Sequence, residues 1–507
     1  MNNTTRILLD TNVFIPREDS SPLGITNQGF WSVLHRFPKI QVLIHPASIE
    51  EIRRDRDEER RRVVMSKVET YQRLEGFPDF HPDSDFISKT GSPKNPHDEV
   101  DLLLLLALYR DSVDFLVTND KELTKKANLV GLSERIFTTE EATQYIARQS
   151  DKAPKIHPMM ENVPLHTLNI EDPFFQQLRD DYPEFRGWWK KISRQGRNAC
   201  VVRMNGVLWA ILILKNEDEA VASFPPLPRK KRLKICTLYV HERGLKIGER
   251  LIRTAIDTAI ANDIGEIYLT HFTKPDDSLV NLIEEYGFEK YGYLEHPHTD
   301  TKEDLFLKEL LPSSTISLFP TDLCRKYYPT FYGGPNVKKF VVPIRPAYHE
   351  RLFEDFGSEK RSPLFPSFRM PLSEGFAIKK AYLSHSRIKS LEPGDLTLFY
   401  RSDDRHAITS IGIVDKSRSK MMDPNEIVRF VGKRTVYTQE EIEEFSKNPT
   451  LAILFRFLFH LKTPLDLNQL ISSNVLKGAP QSITKINDGA FQKIISHGGI
   501  DEHFVVH

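Results

Sequence analysis

Acids recur in the first 120 residues at places where a chain usually changes direction. Asp10 closes the apolar run Ile7-Leu-Leu and precedes Thr-Asn-Val-Phe-Ile15. Glu51 follows Ala47-Ser-Ile-Glu, Asp101 opens the run Leu102–Leu106, and Asp120 follows Phe115-Leu-Val-Thr-Asn119. Carboxylates gathered on one rim repel one another and resist desolvation unless cations neutralise them. Oxygen donors without Cys or His select hard ions, Mg²⁺ or Mn²⁺. Two such ions clamp the attacking water and the leaving oxygen of a phosphodiester, which is nuclease chemistry. Glu50 is an alternative to Glu51, and Asp98, one helical turn before Asp101, is placed to assist it. The competing reading is that acids at helix starts merely favour the macrodipole and cap the helix. It is weakest for Asp10, because a carboxylate between two apolar runs is no generic surface choice.

A second chemistry is written at 233–262. Leu233–Val240 reads as a strand, His241–Gly248 as a turn, and Glu249 onward as a long helix. Backbone N–H groups at such a turn and helix start bind anions, a pyrophosphate above all, although most such turns only connect elements. The run Arg229-Lys-Lys-Arg232 with Lys234 is a candidate for contact with a phosphate group, or else a solvated loop. Arg53, Arg54, Arg56, Arg60, Arg61 and Arg62 stand among acids, so they either grip phosphates or form a solvated face of i,i+4 pairs. In the last third, Lys379, Tyr400 and Arg401 are the candidate contacts for the RNA that a resemblance given below implies. Tyr400 and Arg401 end the strand fed by the Pro393-Gly-Asp turn, and alternation puts one of Phe399 and Tyr400 inside.

These residues need scaffolds. Polar, proline-bearing Gln149–Pro164 and Leu311-Pro-Ser-Ser-Thr315 read as linkers and divide the chain into residues 1–150, 151–312 and 313–507. The first block alternates strands (Ile7–Asp10, Gln41–Ile44, Asp114–Thr118) with helices, one starting near Ala47 and one over Asp101–Arg110, which predicts a parallel α/β sheet. In such a sheet the strand ends and following helix starts share one ligand-binding rim. The second block has strands Ala199–Met204 and Val207–Lys215 joined by Asn205-Gly206, a strong hairpin signal, then strand, helix and strand Glu266–Thr270. The third mixes short strands (Phe340–Ile344, Leu396–Tyr400, Ser410–Val414, Leu454–Phe459) with turns and helices, predicting α+β with a small barrel. The expected fold class is therefore multidomain α/β and α+β.

The 507 residues suit three or four domains. With 70 basic and 70 acidic side chains the net charge is +0, which excludes a uniformly basic nucleic-acid coat. Hydrophobic residues at 39% and charged ones at 28% fit globular cores. Apolar runs fall far short of the ~20 residues of a membrane helix, the start lacks a secretory pattern, and three scattered cysteines build no disulfide framework. A cytoplasmic protein without membrane contact is expected.

The motifs carry three resemblances. Leu8-Leu-Asp-Thr-Asn-Val-Phe-Ile15, Ala47-Ser-Ile-Glu-Glu-Ile52, Asp101 and Leu116-Val-Thr-Asn-Asp-Lys-Glu-Leu123 together resemble a PIN domain over roughly residues 5–148. That implies a metal-dependent endoribonuclease with Asp10, Glu51, Asp101 and Asp120 as metal carboxylates and Asn12 and Thr118 as supporting ligands. Arg243-Gly-Leu-Lys-Ile-Gly248, the Asn205-Gly206 hairpin and Tyr286-Gly-Phe288 resemble a GNAT acyltransferase over 165–308. This implies that amides from Leu245 to Glu249, with Arg243, Gly244, Lys246, Ile247 and Gly248, hold the pyrophosphate of acetyl-CoA or another acyl-CoA. Leu238–Val240 would pair with the pantetheine arm. Lys246 stands where the family often has a glycine, and Ile283 stands where it often has an acid-catalytic tyrosine, with Tyr286 and Tyr291 at the wrong spacing. The turn Leu391-Glu-Pro-Gly-Asp before Leu-Thr-Leu-Phe-Tyr400 is similar to PUA-like domains of the ASCH and EVE kind, over 325–500, although their Gly-x-Lys-x-x-Glu-x-Arg signature is absent. It implies an RNA-reading barrel.

The combined expectation is an Mg²⁺- or Mn²⁺-dependent endoribonuclease coupled to acyl-CoA-binding and RNA-reading domains. A toxin-like stress or defence role would bring a tRNA or other RNA substrate, an inhibitory antitoxin-like partner and a homodimer into the picture. Two alternatives stand beside it. One is an acyl-CoA-dependent N-acyltransferase acting on RNA or protein, with the outer domains as binding modules. The other is an inactive RNA-binding sensor or scaffold.

Overall fold

The computed structural model describes residues 4–13, 30, 40–54, 71–76, 84–148, 158–204, 206–241, 246–274, 277–295, 302–312, 318–357, 369–371, 374–388 and 391–507, with single positions between 55 and 70. Five strands, β1 (Thr5–Leu9), β2 (Ile40–Ile44), β3 (Gln72–Arg73), β4 (Phe115–Val117) and β5 (Ile136–Phe137), form one sheet in the order β3-β2-β1-β4-β5. Every ladder in it is parallel. The order reverses between β1 and β4, which opens a crevice at their carboxyl ends. Alternation along β1 sends Leu8 to one face, under the leucines of α2 (Pro96–Tyr109), and Ile7 and Leu9 to the other. Helix α2 starts five residues earlier than its apolar run suggests. Asn95 caps it by accepting from the Asp98 N–H at 2.9 Å, and Pro96 fills its first position.

The second sheet contains β6 (Met159–Pro164), β7 (Asn198–Met204), β8 (Val207–Val221), β9 (Leu227–Val240), β10 (Glu266–His271), β11 (Glu289–Glu295) and β12 (Lys302–Glu309). Its order is β11-β12-β10-β9-β8-β7-β6. The β7–β8 turn carries Gly206 at φ +83°, beside Asn205, which lies outside the described residues. Strands β9 and β10 are parallel but pair only from Leu233 to Ile235; beyond, β9 stays on β8 as far as Val240 while β10 diverges. Helix α4 (Ile247–Ala261) connects them, between α3 (Lys121–Leu129) of the first block and α5 (Ser278–Glu285) in chain order.

The third block holds β13 (Phe331–Tyr332), β14 (Lys339–Ile344), β15 (Arg369–Pro371), β16 (Lys379–Ser384), β17 (Leu396–Arg401), β18 (Ala407–Met421), β19 (Thr450–Asp466), β20 (Thr484–Ile486) and β21 (Val505–Val506), with α6 (Pro424–Val431). Six of these strands form a sheet ordered β16-β19-β18-β17-β14-β20. Among the described residues no ladder joins β16 to β20, and the β18–β19 ladder is bulged at four places.

The larger sheets are each built mainly from one stretch of the chain, whereas the cores are shared between them. One core runs from α4, Tyr286 and Phe288 into Leu396, Leu398, Tyr400 and Phe491. Another runs from Ile7, Leu9, Phe115 and Phe137 into Val342, Phe399, Val414 and Val431. Strand β15 even pairs with β6 and extends the second sheet. No described helix is long and apolar enough to cross a membrane.

Candidate functional site

The first crevice is organised around Asp10, which is 4% exposed. Its backbone N–H still bonds Val117 O at 3.0 Å, so the carboxylate stands at the rim of the sheet. Thr118 Oγ1 donates to Asp10 Oδ2 at 2.6 Å, Asn12 Nδ2 donates to the same oxygen at 2.7 Å, and Thr11 Oγ1 reaches Oδ1 at 3.3 Å. Asn12 Oδ1 in turn accepts from Asn119 N at 3.1 Å, tying the turns after β1 and β4 together. Asp120 caps α3 by accepting from Leu123 N at 2.9 Å, which fixes its side chain at the same rim.

Asp101 comes from the second turn of α2 and is buried. Burial first, and then the charge of Asp10, push its carboxyl up to about 7. Burial raises Asp10 as well, with Asp120 adding to the rise. Burial and mutual repulsion thus disfavour the ionised forms of Asp10 and Asp101, the condition a cation relieves. His97, one turn before Asp101, completes the group. His97, Asp101 and Asp120 each place one ligand atom within 4.8 Å of the others. The His97 Nδ1–H donates to Glu51 Oε1 at 2.5 Å, and its Nε2 lies 3.9 Å from Asp101 Oδ2. The hydrogen bond to Glu51 raises the imidazole's proton affinity. A donor set of carboxylates and one imidazole fits a divalent cation.

The structure thus brings Asp10, Asp101 and Asp120 together, with Thr118 and Asn12 supporting Asp10, and sets Glu51 behind His97. The candidate roles of Glu50 and Asp98 find other employment. Glu50 pairs with Arg53 at 2.7 Å on the exposed face of α1 (Pro46–Arg53), and Arg54 is exposed beside it. Asp98 accepts from Lys94 N at 2.8 Å and ion-pairs with Lys126 of α3, so it serves the helix start and not the carboxylate group. His97 was not among the expected residues; its signal is the i, i+4 spacing to Asp101 on one helix face.

In the second block, Leu238 and Val240 pair with β8, and their opposite edge is released by the divergence of β10. Arg243 and Gly244 lie outside the described residues. Lys246, at φ +52°, directs its Nζ to Lys433 O of the third block. A Cβ on Gly248 would meet Leu282 Cδ2 at 2.5 Å, so this glycine allows α4 to pack on α5. Ile247 is buried, and so is Glu249. The Glu249 carboxylate accepts from Ile378 N at 2.8 Å, Lys379 N at 3.1 Å and Arg434 Nη1 at 2.8 Å. The Glu249 side chain is thus committed to the third block, while residues 242–245, part of the expected pyrophosphate cradle, lie outside the described residues. Ile283 and Tyr286 are core residues, and Tyr291 donates to Pro226 O at 3.3 Å.

The remaining candidates are corrected by their partners. Arg229 to Arg232 belong to β9, not to a loop; Arg229 faces Asp218, while Lys230 and buried Arg232 pair with Glu266. Tyr400 is buried along with Phe399, because β17 is covered on both faces by the two shared cores. Arg401 is held by Asp404 and Glu350, and Lys379 is ion-paired with Glu285 of α5. None of these three side chains is presented as an RNA contact.

Residues 163–288 match the acetyltransferase (GNAT) family, a segment running from the end of β6 to the residue before β11. The second block thus contains a GNAT acetyltransferase domain. No curated protein matches the chain. Among solved structures, ASCH from Zymomonas mobilis is similar at 14% identity and a TM-score of 0.24, covering 31% of this chain and 94% of that one. An IAA acetyltransferase from Bacillus cereus ATCC 14579 is similar at 15% identity and a TM-score of 0.22, covering 30% of this chain and 97% of that one.

Proposed function

We propose that the first block is a divalent-metal-dependent phosphodiesterase that cuts RNA. The observation that carries this reading is the convergence of Asp10, Asp101, Asp120 and His97 at the point where the parallel sheet reverses its strand order. A bound divalent ion would supply the Lewis acid and the ionised water of phosphodiester hydrolysis. The chain's own part is to fix Asp10 through Thr118 and Asn12, to fix Asp120 by the cap on α3, and to keep Asp101 poised beside them. RNA as substrate class rests on the resemblance of residues 5–148 to PIN domains, which the family match at 163–288 does not reach. Asp10→Asn and Asp120→Asn should each abolish EDTA-sensitive cleavage of a labelled single-stranded RNA, with far-UV circular dichroism unchanged. Equal cleavage by both variants and the parent would refute the nuclease.

A second reading, N-acyl transfer from an acyl-CoA thioester, is the one the family match backs directly. The released edge of β9 after Ile235 supports thioester binding there. Two features weigh on the transfer step: Ile283 supplies no acid for the departing thiolate, and Glu249 is engaged by Arg434. Calorimetric titration with acetyl-CoA, and acyl transfer from a labelled thioester that survives Asp10→Asn, would establish this activity. Absence of binding at millimolar acetyl-CoA would remove it.

A further inference from the structure

We infer that His97 is itself a ligand of the cation, that Glu51 serves as its positioning residue, and that the site favours Mn²⁺ over Mg²⁺. This rests on the metal-dependent reading above and goes beyond it in naming the donor set. A carboxylate only accepts hydrogen bonds, so the 2.5 Å contact to Glu51 Oε1 places the imidazole proton on Nδ1. In the neutral ring Nε2 then carries the lone pair, free for a cation that displaces any second proton, and it is the nitrogen that faces Asp101 at 3.9 Å. A metal-bound histidine characteristically donates its other ring N–H to a carboxylate, which orients the ring and raises its basicity. Glu51, His97 and the space between Asp101 and Asp120 reproduce that order from the outside inwards.

The distances fit an ion. At metal–ligand lengths of about 2.1 Å, neighbouring octahedral donors stand about 3.0 Å apart and opposite donors about 4.2 Å. The ligand atoms of His97, Asp101 and Asp120 lie within 4.8 Å of one another, so rotamer shifts of about half an ångström close the site. The His97 side chain is 63% exposed and has room for that shift. Imidazole suits transition ions, whereas Mg²⁺ prefers oxygen donors and keeps its water.

The test is Mn²⁺ and Mg²⁺ binding to the full chain, by calorimetry, together with electron spin-echo modulation of bound Mn²⁺. The parent should bind Mn²⁺ at least tenfold more tightly than Mg²⁺ and show ¹⁴N modulation. His97→Ala, an exposed substitution, should weaken Mn²⁺ by 10- to 100-fold, leave Mg²⁺ within threefold and erase the nitrogen signal. Glu51→Gln should keep the nitrogen signal and weaken Mn²⁺ by less than tenfold. Bound Mn²⁺ without nitrogen modulation, or an unchanged Mn²⁺/Mg²⁺ ratio in His97→Ala, would overturn the inference and leave the nuclease standing. Binding lost in Glu51→Gln but kept in His97→Ala would make Glu51 the ligand and equally overturn it. A parent that binds neither ion would overturn both.

Discussion

Arg434 is the side chain on which the three blocks meet, and replacing it by methionine isolates what that meeting is worth. Its Nε donates to Glu134 Oε2 of the first block at 2.7 Å and its Nη1 to Glu249 Oε2 of the second at 2.8 Å. Burial resists the ionisation of both acids, yet Arg434 overrides it, holding Glu134 down to about 2 and Glu249 well below the usual carboxylate range. Removing one partner of a buried pair costs about 3–5 kcal/mol, because the charge left behind is neither solvated nor paired. Lys246 and Lys433 also act on Glu134, which places Arg434→Met toward the lower end, about 3 kcal/mol. The triple variant Glu134→Gln/Glu249→Gln/Arg434→Met should recover most of the loss, since no charge is then stranded. Urea unfolding of the full chain reads the stability. Hydrogen exchange at Ile378 and Lys379, whose amides bond Glu249, reads the junction itself. An Arg434→Met protein within about 0.5 kcal/mol of the parent, with those amides equally protected, would refute the reasoning.

Acidification should loosen the same junction. Glu134 and Glu249 titrate lower in the fold than their ordinary 4.5, so their stabilisation is full above that value and is lost as pH falls toward 2. Buried His349, which burial pushes down to about 3, adds a loss between its ordinary 6.5 and 3, and melting temperatures that stay flat from pH 7 to 3 would contradict both. Gly432 sits at φ +50°, where a Cβ would meet Glu134 O at 2.2 Å; Gly432→Ala should cost about 1–3 kcal/mol in urea unfolding, and a neutral result would show that the first block is not pressed against this turn. Phe399→Ala should cost about 3–5 kcal/mol by the same measure, because its ring packs at 4.8 Å from Phe455 and 5.0 Å from Phe353 in the core shared with the first block.

Local pattern carried the strands of the first sheet well, because Ile7-Leu-Leu and Phe115-Leu-Val are short apolar runs bounded by polar turns. It carried less of the β8–β9 ribbon. There Asp218 stands opposite Lys231 and Glu219 opposite Lys230, so each charged run finds its counter-charge across the ladder. Read along the chain, such runs look like solvated loop; read across it, they are strand. The pairing of β15 with β6 and the two shared cores were invisible for a related reason. A buried face is apolar whichever partner covers it, so the sequence marks Tyr400 as half of an alternating strand but not as a residue covered by α4's neighbours.

Asp10 and Asp120 were marked because they follow apolar strand runs, while His97 was passed over, since its signal, an i, i+4 spacing to Asp101, is common on any helix. Glu249 shows the opposite failure. In the sequence it counts only as one backbone amide of a segment that suits an anion. In the fold its own carboxylate accepts from two third-block amides and from Arg434. The counter-ion of this buried carboxylate belongs to another block. The local motif marks the helix end, and only the tertiary partner shows what its side chain does. The zero net charge of the chain conceals this, because opposite charges cancel in the sum whether they lie in one block or, as with Glu134, Glu249 and Arg434, in three.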